Sequence, residues 1–182
     1  MRQPLSSSLA ASGVLLLMLP LAACSIDVQK HDSGRRADVD IRTPAGGLAV
    51  HTGGSAEGTG LPVYPGARPA HHGNRDESAD VDISAGWFGV KVVAAKFESD
   101  DEPEQVLGFY RGEMATYGPV VECRGNVRFR WRDGTKRPEC RERQWSREFK
   151  LVTGTEDRQR IVSVKPRGGG SEFAVVYVAT GR

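Results

Sequence analysis

The chain has few of the residues that most often carry enzyme chemistry, with three cysteines and four histidines among 182 residues. It contains no GxSxG, HExxH or phosphate-binding glycine-loop motif, and no two of its cysteines form a CxxC pair. His71 and His72 are adjacent in a polar stretch, where neighbouring imidazoles would point apart, and this favours a solvated loop over a metal site. We therefore expect a protein that is not an enzyme, with no catalytic residue, no metal and no cofactor.

Long apolar runs are also missing, except near the N terminus. Residues 9–21 form an apolar stretch that follows Arg2 and precedes Ala22-Ala23, as in a secretory signal peptide. At roughly 13 residues, the stretch is well short of the ~20 residues that a membrane-spanning helix needs. The sequence thus predicts a signal peptide over residues 1–23 and no permanent transmembrane span.

The segment Leu21-Ala22-Ala23-Cys24 resembles the lipobox of bacterial lipoproteins. The resemblance implies that Cys24 becomes the acylated, palmitate-bearing first residue of the mature chain, since several acyl chains on one cysteine hold a protein durably at a membrane. Ser25, in place of Asp, is similar to the outer-membrane sorting pattern of Gram-negative lipoproteins and implies the periplasmic face of the outer membrane. The alternative is an ordinary signal peptide followed by a chance cysteine.

Lipidation of Cys24 leaves Cys123 and Cys140. We expect these two to form a disulfide, because export places them in an oxidising compartment. Closing a loop of this length predicts a stabilisation of ~3 kcal/mol on the chain-entropy account. A redox-active or metal-binding pair is the alternative, but the spacing between the two cysteines does not suit it.

Charge is unevenly distributed along the chain, although the formal net charge is only +2. Residues 76–104 hold nine acids and two lysines, whereas residues 124–150 hold ten lysines and arginines and four acids. One interpretation is that neighbouring strands carry complementary exposed faces. The other is a functional basic face for an anionic lipid, an anionic polysaccharide or an acidic envelope protein. The residues of that candidate face are Arg128, Arg130, Arg132, Lys136, Arg137, Arg141, Arg143 and Arg147. Nucleic acid is not an expected partner of an exported protein.

The polar, small residues of 24–60 predict a flexible tether after the lipidated cysteine, with a small hairpin formed by Asp38-Val39-Asp40-Ile41 and Leu48-Ala49-Val50. Asp80-Val81-Asp82-Ile83 repeats the first of these segments. On a strand the aspartates would share one solvated face and the aliphatic residues the other, while metal binding by the aspartate pairs is the alternative.

Residues 61–182 are expected to form a single domain. Asp101-Glu102-Pro103-Glu104 predicts the start of a helix that ends near Gly118, with a buried stripe of Leu107, Tyr110, Met114 and Tyr117. The rest of this region has strand-like alternation, with a turn at Asp133-Gly134. The predicted fold class is α+β, an antiparallel sheet packed by one main helix and preceded by the signal peptide and the tether.

Four short motifs resemble those of a group of uncharacterised bacterial envelope lipoproteins: Pro62-Val63-Tyr64-Pro65-Gly66-Ala67, Asp100–Val106, Phe109-Tyr110 and Tyr117-Gly118. That group implies a folded unit and brings no activity, substrate or catalytic residue. The expected function is therefore that of a lipid-anchored lipoprotein with a binding or structural accessory domain. The alternatives are a carrier of a hydrophobic molecule, with a pocket between helix and sheet, and a binder of anionic lipid or polysaccharide.

Overall fold

The computed structural model describes residues 24–31, 36–53, 56–72, 75–76, 78–143 and 145–181. The signal peptide predicted for residues 1–23 lies outside this part of the chain. Strands account for 63% of the structure and helices for 12%. The predicted α+β class is therefore wrong, because the protein is mostly β, with one large antiparallel sheet and one α-helix among the described residues.

Thirteen strands are described, and eleven of them form the large sheet. They are β1 Ser25–His31, β2 Arg36–Thr43, β3 Gly46–Thr52, β4 Arg68–Pro69, β5 His71–His72, β6 Arg75–Asp76, β7 Ser78–Ala85, β8 Phe88–Ser99, β9 Val121–Arg132, β10 Thr135–Glu142, β11 Phe149–Thr155, β12 Arg158–Arg167 and β13 Gly170–Thr180. The order across the large sheet is β1-β2-β3-β7-β8-β13-β12-β11-β9-β10, with β4 also paired to β8. Strands β5 and β6 pair separately from it.

The α-helix, α1, spans Pro103–Ala115 and is too short to form a second layer over this sheet. Thirteen residues give a helix of about 20 Å, which covers about four strands at their usual spacing of about 4.8 Å. It packs on β11, β12 and β13. The strands toward β1 therefore have no helical cover, and this is why the fold departs from the α+β class.

Three strands occupy the described part of residues 24–60, where composition predicted a flexible tether. The hairpin between Asp38–Ile41 and Leu48–Val50 is present as β2 and β3, with Ile41 opposite Leu48. Strand β3 continues the sheet to β7, so the N-terminal segment and the later region share one sheet. Small polar residues suggested a linker, but their period-two alternation with Val, Ile and Leu supports strands on an extended sheet.

The helix begins and ends close to the predicted positions. Pro103 opens its first turn, the backbone N–H of Glu102 donates to the Gln105 side chain at 3.1 Å, and the C-cap is Thr116. Gly118 follows in the left-handed region, at φ +125°. Of the predicted stripe, Leu107, Tyr110 and Met114 are fully buried, whereas Tyr117 lies beyond the helix end and is 40% exposed.

The main core lies between α1 and one face of the sheet. Phe173 is its central aromatic side chain, stacked on Phe97 at 5.4 Å and in contact with Tyr110 at 5.7 Å between ring centroids. The Tyr110 hydroxyl donates to the backbone oxygen of Pro62 at 3.1 Å, and burial raises the pKa of Tyr110 above its ordinary value. The remaining core residues include Ala95, Val106, Leu151, Val162, Val164 and Val175.

Candidate functional site: the arginine face of a hairpin

The β9–β10 hairpin separates charged and apolar side chains onto opposite faces. In β9, Arg128, Arg130 and Arg132 alternate with Val127, Phe129 and Trp131, so the arginines share one side of the strand. The turn at Asp133-Gly134 has positive φ at both residues, 51° and 75°, as a two-residue hairpin turn of the type I′ class requires. This turn fixes the register of the two strands and hence what the second strand adds to each face.

Strand β10 brings two more arginines to the same face. Arg137 lies opposite Arg130, and Arg141 lies opposite Asn126, in the antiparallel register. Directly paired residues point to the same side of a sheet. We define the arginine face as the exposed residues Arg128, Arg130, Arg132, Arg137 and Arg141.

One acidic residue belongs to this face. Glu139 lies opposite Arg128 and accepts contacts from Arg128 Nε at 3.0 Å and Arg130 Nε at 2.7 Å. Arg132, Arg137 and Arg141 make no ion pair with any residue in the described ranges. Neighbouring like charges repel one another, so anions from outside the hairpin would stabilise the arginine face.

The other three residues of the predicted basic set lie elsewhere. Lys136 is on the opposite side of the hairpin, facing Trp131, and its ammonium group pairs with Glu156 in the turn between β11 and β12. Arg143 and Arg147 belong to the connection from β10 to β11. The structure thus brings five of the eight candidate arginines and lysines together on the arginine face.

The hairpin is bent and held by the predicted disulfide, which the structure confirms. Cys123 and Cys140 are bonded at an S–S distance of 2.02 Å. Strand β9 bends at Gly125, whose φ is +138° and where a Cβ would lie 2.7 Å from the backbone nitrogen of Arg143. Glycine is therefore required at the bend, because both its backbone conformation and the space around it exclude a side chain.

A second contact holds the hairpin against the sheet. The backbone N–H of Glu156 donates to the Lys136 carbonyl at 3.4 Å, alongside the Lys136–Glu156 ion pair. A cleft of about 510 Å³ opens beside the hairpin, and its walls include Val121, Trp131, Pro138 and three members of the arginine face. Trp131 is 72% exposed. Its ring lies on the side of the hairpin opposite the arginine face, together with Lys136.

The predicted lipidation residue, Cys24, is exposed and its thiol is free. It directly precedes β1, whereas the arginine face is on β9 and β10, at the other end of the sheet order. Within the described ranges, no helix combines the length and the apolar character needed to cross a membrane.

Other candidate sites from the sequence do not form a reactive cluster in the described structure. The repeated aspartates lie on both sides of β3, where Asp38 and Asp80 are each opposite His51. Asp38 contacts His51 at 3.3 Å and Asp80 contacts Lys91 at 3.7 Å. No group of three or more His, Cys, Asp or Glu side chains could hold a metal ion among the described residues. His71 and His72 form β5, and their side chains lie outside the described part.

The interface between α1 and the sheet offers little room for a carried molecule. Its largest side chains, Tyr110, Phe173, Leu107 and Met114, are at most 1% exposed and in mutual core contact. The geometry therefore does not favour the pocket that a hydrophobic carrier would need between helix and sheet.

Alternation placed the three arginines of β9 on one side of that strand. Arg137 and Arg141 were among the eight candidate residues, but their position on the same side depends on the strand pairing. The Asp133-Gly134 turn carried that information, since a two-residue turn pairs Arg132 with Thr135 and sets every later pair. The bend at Gly125 has no sequence signal beyond the glycine itself. No protein-family model matches this chain, and comparisons with curated proteins and with solved structures found no match.

Proposed function

We propose that this protein is a lipid-anchored envelope protein that binds an anionic polysaccharide through the arginine face, without catalysis. The observation that carries the proposal is the gathering of five exposed arginines, with one glutamate, on one face of a disulfide-held hairpin. Guanidinium groups are planar and weakly hydrated, and they bind carboxylate or phosphate groups through two parallel hydrogen bonds. A rigid row of them suits a polymer with regularly spaced anionic groups.

Membrane attachment through Cys24 is the second part of the proposal. It is supported by the lipobox-like Leu21-Ala22-Ala23-Cys24 segment and by an exposed, free Cys24 thiol. Acyl chains on this cysteine would hold the protein at the periplasmic face of a membrane, and Ser25 favours the outer membrane.

The position of the hairpin favours a polysaccharide over the lipid headgroups around the anchor. Strands β1 and β10 are at opposite ends of a path of ten paired strands. Nine steps between strands correspond to about 40 Å along the sheet. Along the path of paired strands, the arginine face is therefore far from Cys24. This separation favours an anionic polymer as its partner over the lipid headgroups around the anchor.

The experiment is a binding titration of the lipidated protein, held in neutral detergent micelles, with polygalacturonate as the anionic polymer and dextran as the neutral one. We expect binding to polygalacturonate that weakens as salt is raised, because exposed charges are screened, and no binding to dextran. The double variant Arg132→Gln, Arg137→Gln should bind at least several-fold more weakly. The matched control, Arg42→Gln with Arg158→Gln, removes two positive charges from other strands and should bind as the wild type does.

Two results would overturn the polysaccharide proposal. One is equal loss of binding in both double variants, since it would show that overall charge rather than the arginine face is responsible. The other is binding to vesicles of anionic phospholipid with no binding to polygalacturonate, which would make a lipid surface the partner.

A further inference from the structure

Two rows of aliphatic side chains cross five strands on the face of the sheet opposite α1. In β8, Val93, Ala95 and Phe97 point toward the core, so the alternate residues Val90 and Val92 point the other way. Direct pairing extends each of these across the sheet. One row is Ile26, Ile41, Leu48, Ile83 and Val90, and the other is Val28, Val39, Val50, Val81 and Val92.

This face is not closed by the described part of the protein. None of the ten side chains is buried: Ile26 is 68%, Val28 55% and Ile83 39% exposed, and the other seven are partly exposed. Five strands at their usual spacing make the rows about 19 Å long. Exposed apolar residues are common singly on protein surfaces, but a continuous patch of this extent marks an interaction site.

The turn between β7 and β8 adds two aromatic side chains at the strand ends, beside Ile83 and Val90. Trp87 is 78% and Phe88 42% exposed, and their rings are in edge contact at 6.2 Å between centroids. Gly86 of this turn donates its N–H to Ala45, in the turn between β2 and β3, at 3.1 Å. The two turns therefore lie together at the edge of the sheet.

Cys24 lies at that same end of the sheet. Ser25 is opposite Arg42, one residue before the end of β2, and Gly46 at the start of β3 is opposite Ala85 at the end of β7. Because β1 begins at Ser25, no linker separates the cysteine from the sheet. A membrane that holds acyl chains on Cys24 must then lie close to Ile26, which is two residues further along the chain and begins the first row.

We propose that Ile26, Ile83, Trp87 and Phe88, termed here the apolar patch, insert into the interface of the phospholipid bilayer that holds Cys24. The inference rests on the proposed lipid anchor. Tryptophan is enriched at this depth of a bilayer, because its ring is apolar and its N–H remains hydrogen-bonded to water or headgroups. A second copy of the chain is the competing occupant. The bilayer is favoured because Ile26 is two residues from Cys24 and the other three residues lie toward the same strand ends.

The test uses the lipidated full chain in vesicles of phosphatidylcholine, with or without bromine on the acyl chains as a short-range quencher. Zwitterionic lipid keeps the arginine face from binding through charge. One variant retains Trp87 alone, through Trp131→Phe and Trp145→Phe. The matched control retains Trp145 alone, a residue that is 93% exposed and lies between β10 and β11, away from Cys24. We expect brominated lipid to reduce Trp87 emission and to leave Trp145 emission unchanged.

A further substitution shows whether the patch acts as a unit. Ile26→Asp on the edge strand changes an exposed side chain and should not prevent folding. It should nevertheless reduce the quenching of Trp87, because a carboxylate in the row opposes insertion.

The outcomes separate the patch from the anchor. A chain that does not co-float with vesicles overturns the lipid anchor and this inference together. If the chain co-floats with vesicles but brominated lipid does not quench Trp87 emission, the patch inference alone is overturned. If Trp87 is shielded from solvent in detergent and cross-linking traps a dimer there, the inference is also overturned, because a second copy of the chain then covers the patch.

Discussion

Cys123 and Cys140 form a disulfide that spans the bend in β9. In the hairpin register Cys140 lies opposite Val127, not opposite Cys123. The Cα atoms of the two cysteines are 5.2 Å apart even though Cys123 lies four positions before Val127 along β9. Strand β9 must therefore bend between Cys123 and Val127, where Gly125 has its positive φ. The disulfide thus fixes the shape of the hairpin that carries the arginine face, in addition to closing a loop.

Replacing both bonded cysteines should lower stability. The double variant Cys123→Ser, Cys140→Ser is expected to lose about 3 kcal/mol of unfolding free energy, since a loop between residues 17 apart is no longer closed in the unfolded chain. Denaturant titration measures this loss. Reduction of the wild type should give a similar loss, and a reductant should leave the double variant unchanged. Equal stability of oxidised and reduced wild type would contradict the role given to the bond.

The bend itself is open to a separate test at Gly125. Gly125→Ala should destabilise the protein by about 1–3 kcal/mol, because of its φ of +138° and because a Cβ would approach the Arg143 nitrogen to 2.7 Å and the Arg141 oxygen to 2.8 Å. The control is Gly134→Ala, which has a positive φ of 75° but nothing within 4 Å of its Cβ. We expect Gly134→Ala to lose less unfolding free energy than Gly125→Ala, as measured by thermal and denaturant unfolding. An equal cost at both positions would mean that close approach at the bend is unimportant.

Two glycines inside α1 should be replaceable with a gain in stability. Gly108 and Gly112 are exposed, and a Cβ at either would meet nothing within 4 Å. Gly108→Ala should therefore raise the unfolding free energy by about 1 kcal/mol, since alanine has the higher helix propensity. Gly112→Ala provides an independent repeat on the same helix. A destabilised alanine variant, seen as a lower denaturation midpoint, would contradict the placement of these residues.

Glu172 makes stability depend on pH. Desolvation by burial alone would raise its pKa, but the ion pairs with Lys165 and Lys96 outweigh that effect and lower the pKa below its ordinary value of 4.5. The ammonium groups lie 2.7 Å and 3.0 Å from Glu172 Oε1. Because the folded pKa is the lower one, this stabilisation is complete above the unfolded pKa and is lost as pH falls from about 4.5 through the folded pKa.

The variant Glu172→Gln tests this dependence. It should lose about 2 kcal/mol at neutral pH, as expected for charge-assisted contacts to a buried carboxylate, and the difference from wild type should shrink as the solution is acidified below pH 4.5. Glu57→Gln, at an exposed position, is the control and should change neither the unfolding free energy at neutral pH nor its dependence on pH. A difference that stays constant between neutral pH and strongly acidic pH would refute the assignment.

Local sequence patterns gave the parts of this protein more reliably than their arrangement. The helix around Leu107 and Tyr110 was predictable, because its cap and its apolar spacing are both local. Alternation in Asp38–Ile41 and in its repeat at Asp80–Ile83 indicated strands, but only the register shows that both copies flank β3. The extent of the sheet was not predictable, since the polar residues that resembled a tether pair with partners distant in sequence.

The same limit applies to the candidate site. Alternation identified one charged face on β9, whereas the five-arginine face depends on a pairing register that no single strand encodes. The apolar patch was not predicted. Ile26 and Trp87 are distant in sequence, and only the successive strand pairings place them at the same edge of the sheet.

Both proposals depend most on the lipid anchor, and the intact mass of the protein extracted from membranes tests it directly. The expected mass is that of a chain that begins at Cys24, carries acyl modification on that residue and retains the Cys123–Cys140 disulfide. The mass of an unmodified chain, with residues 1–23 still attached and three free thiols, would contradict the account.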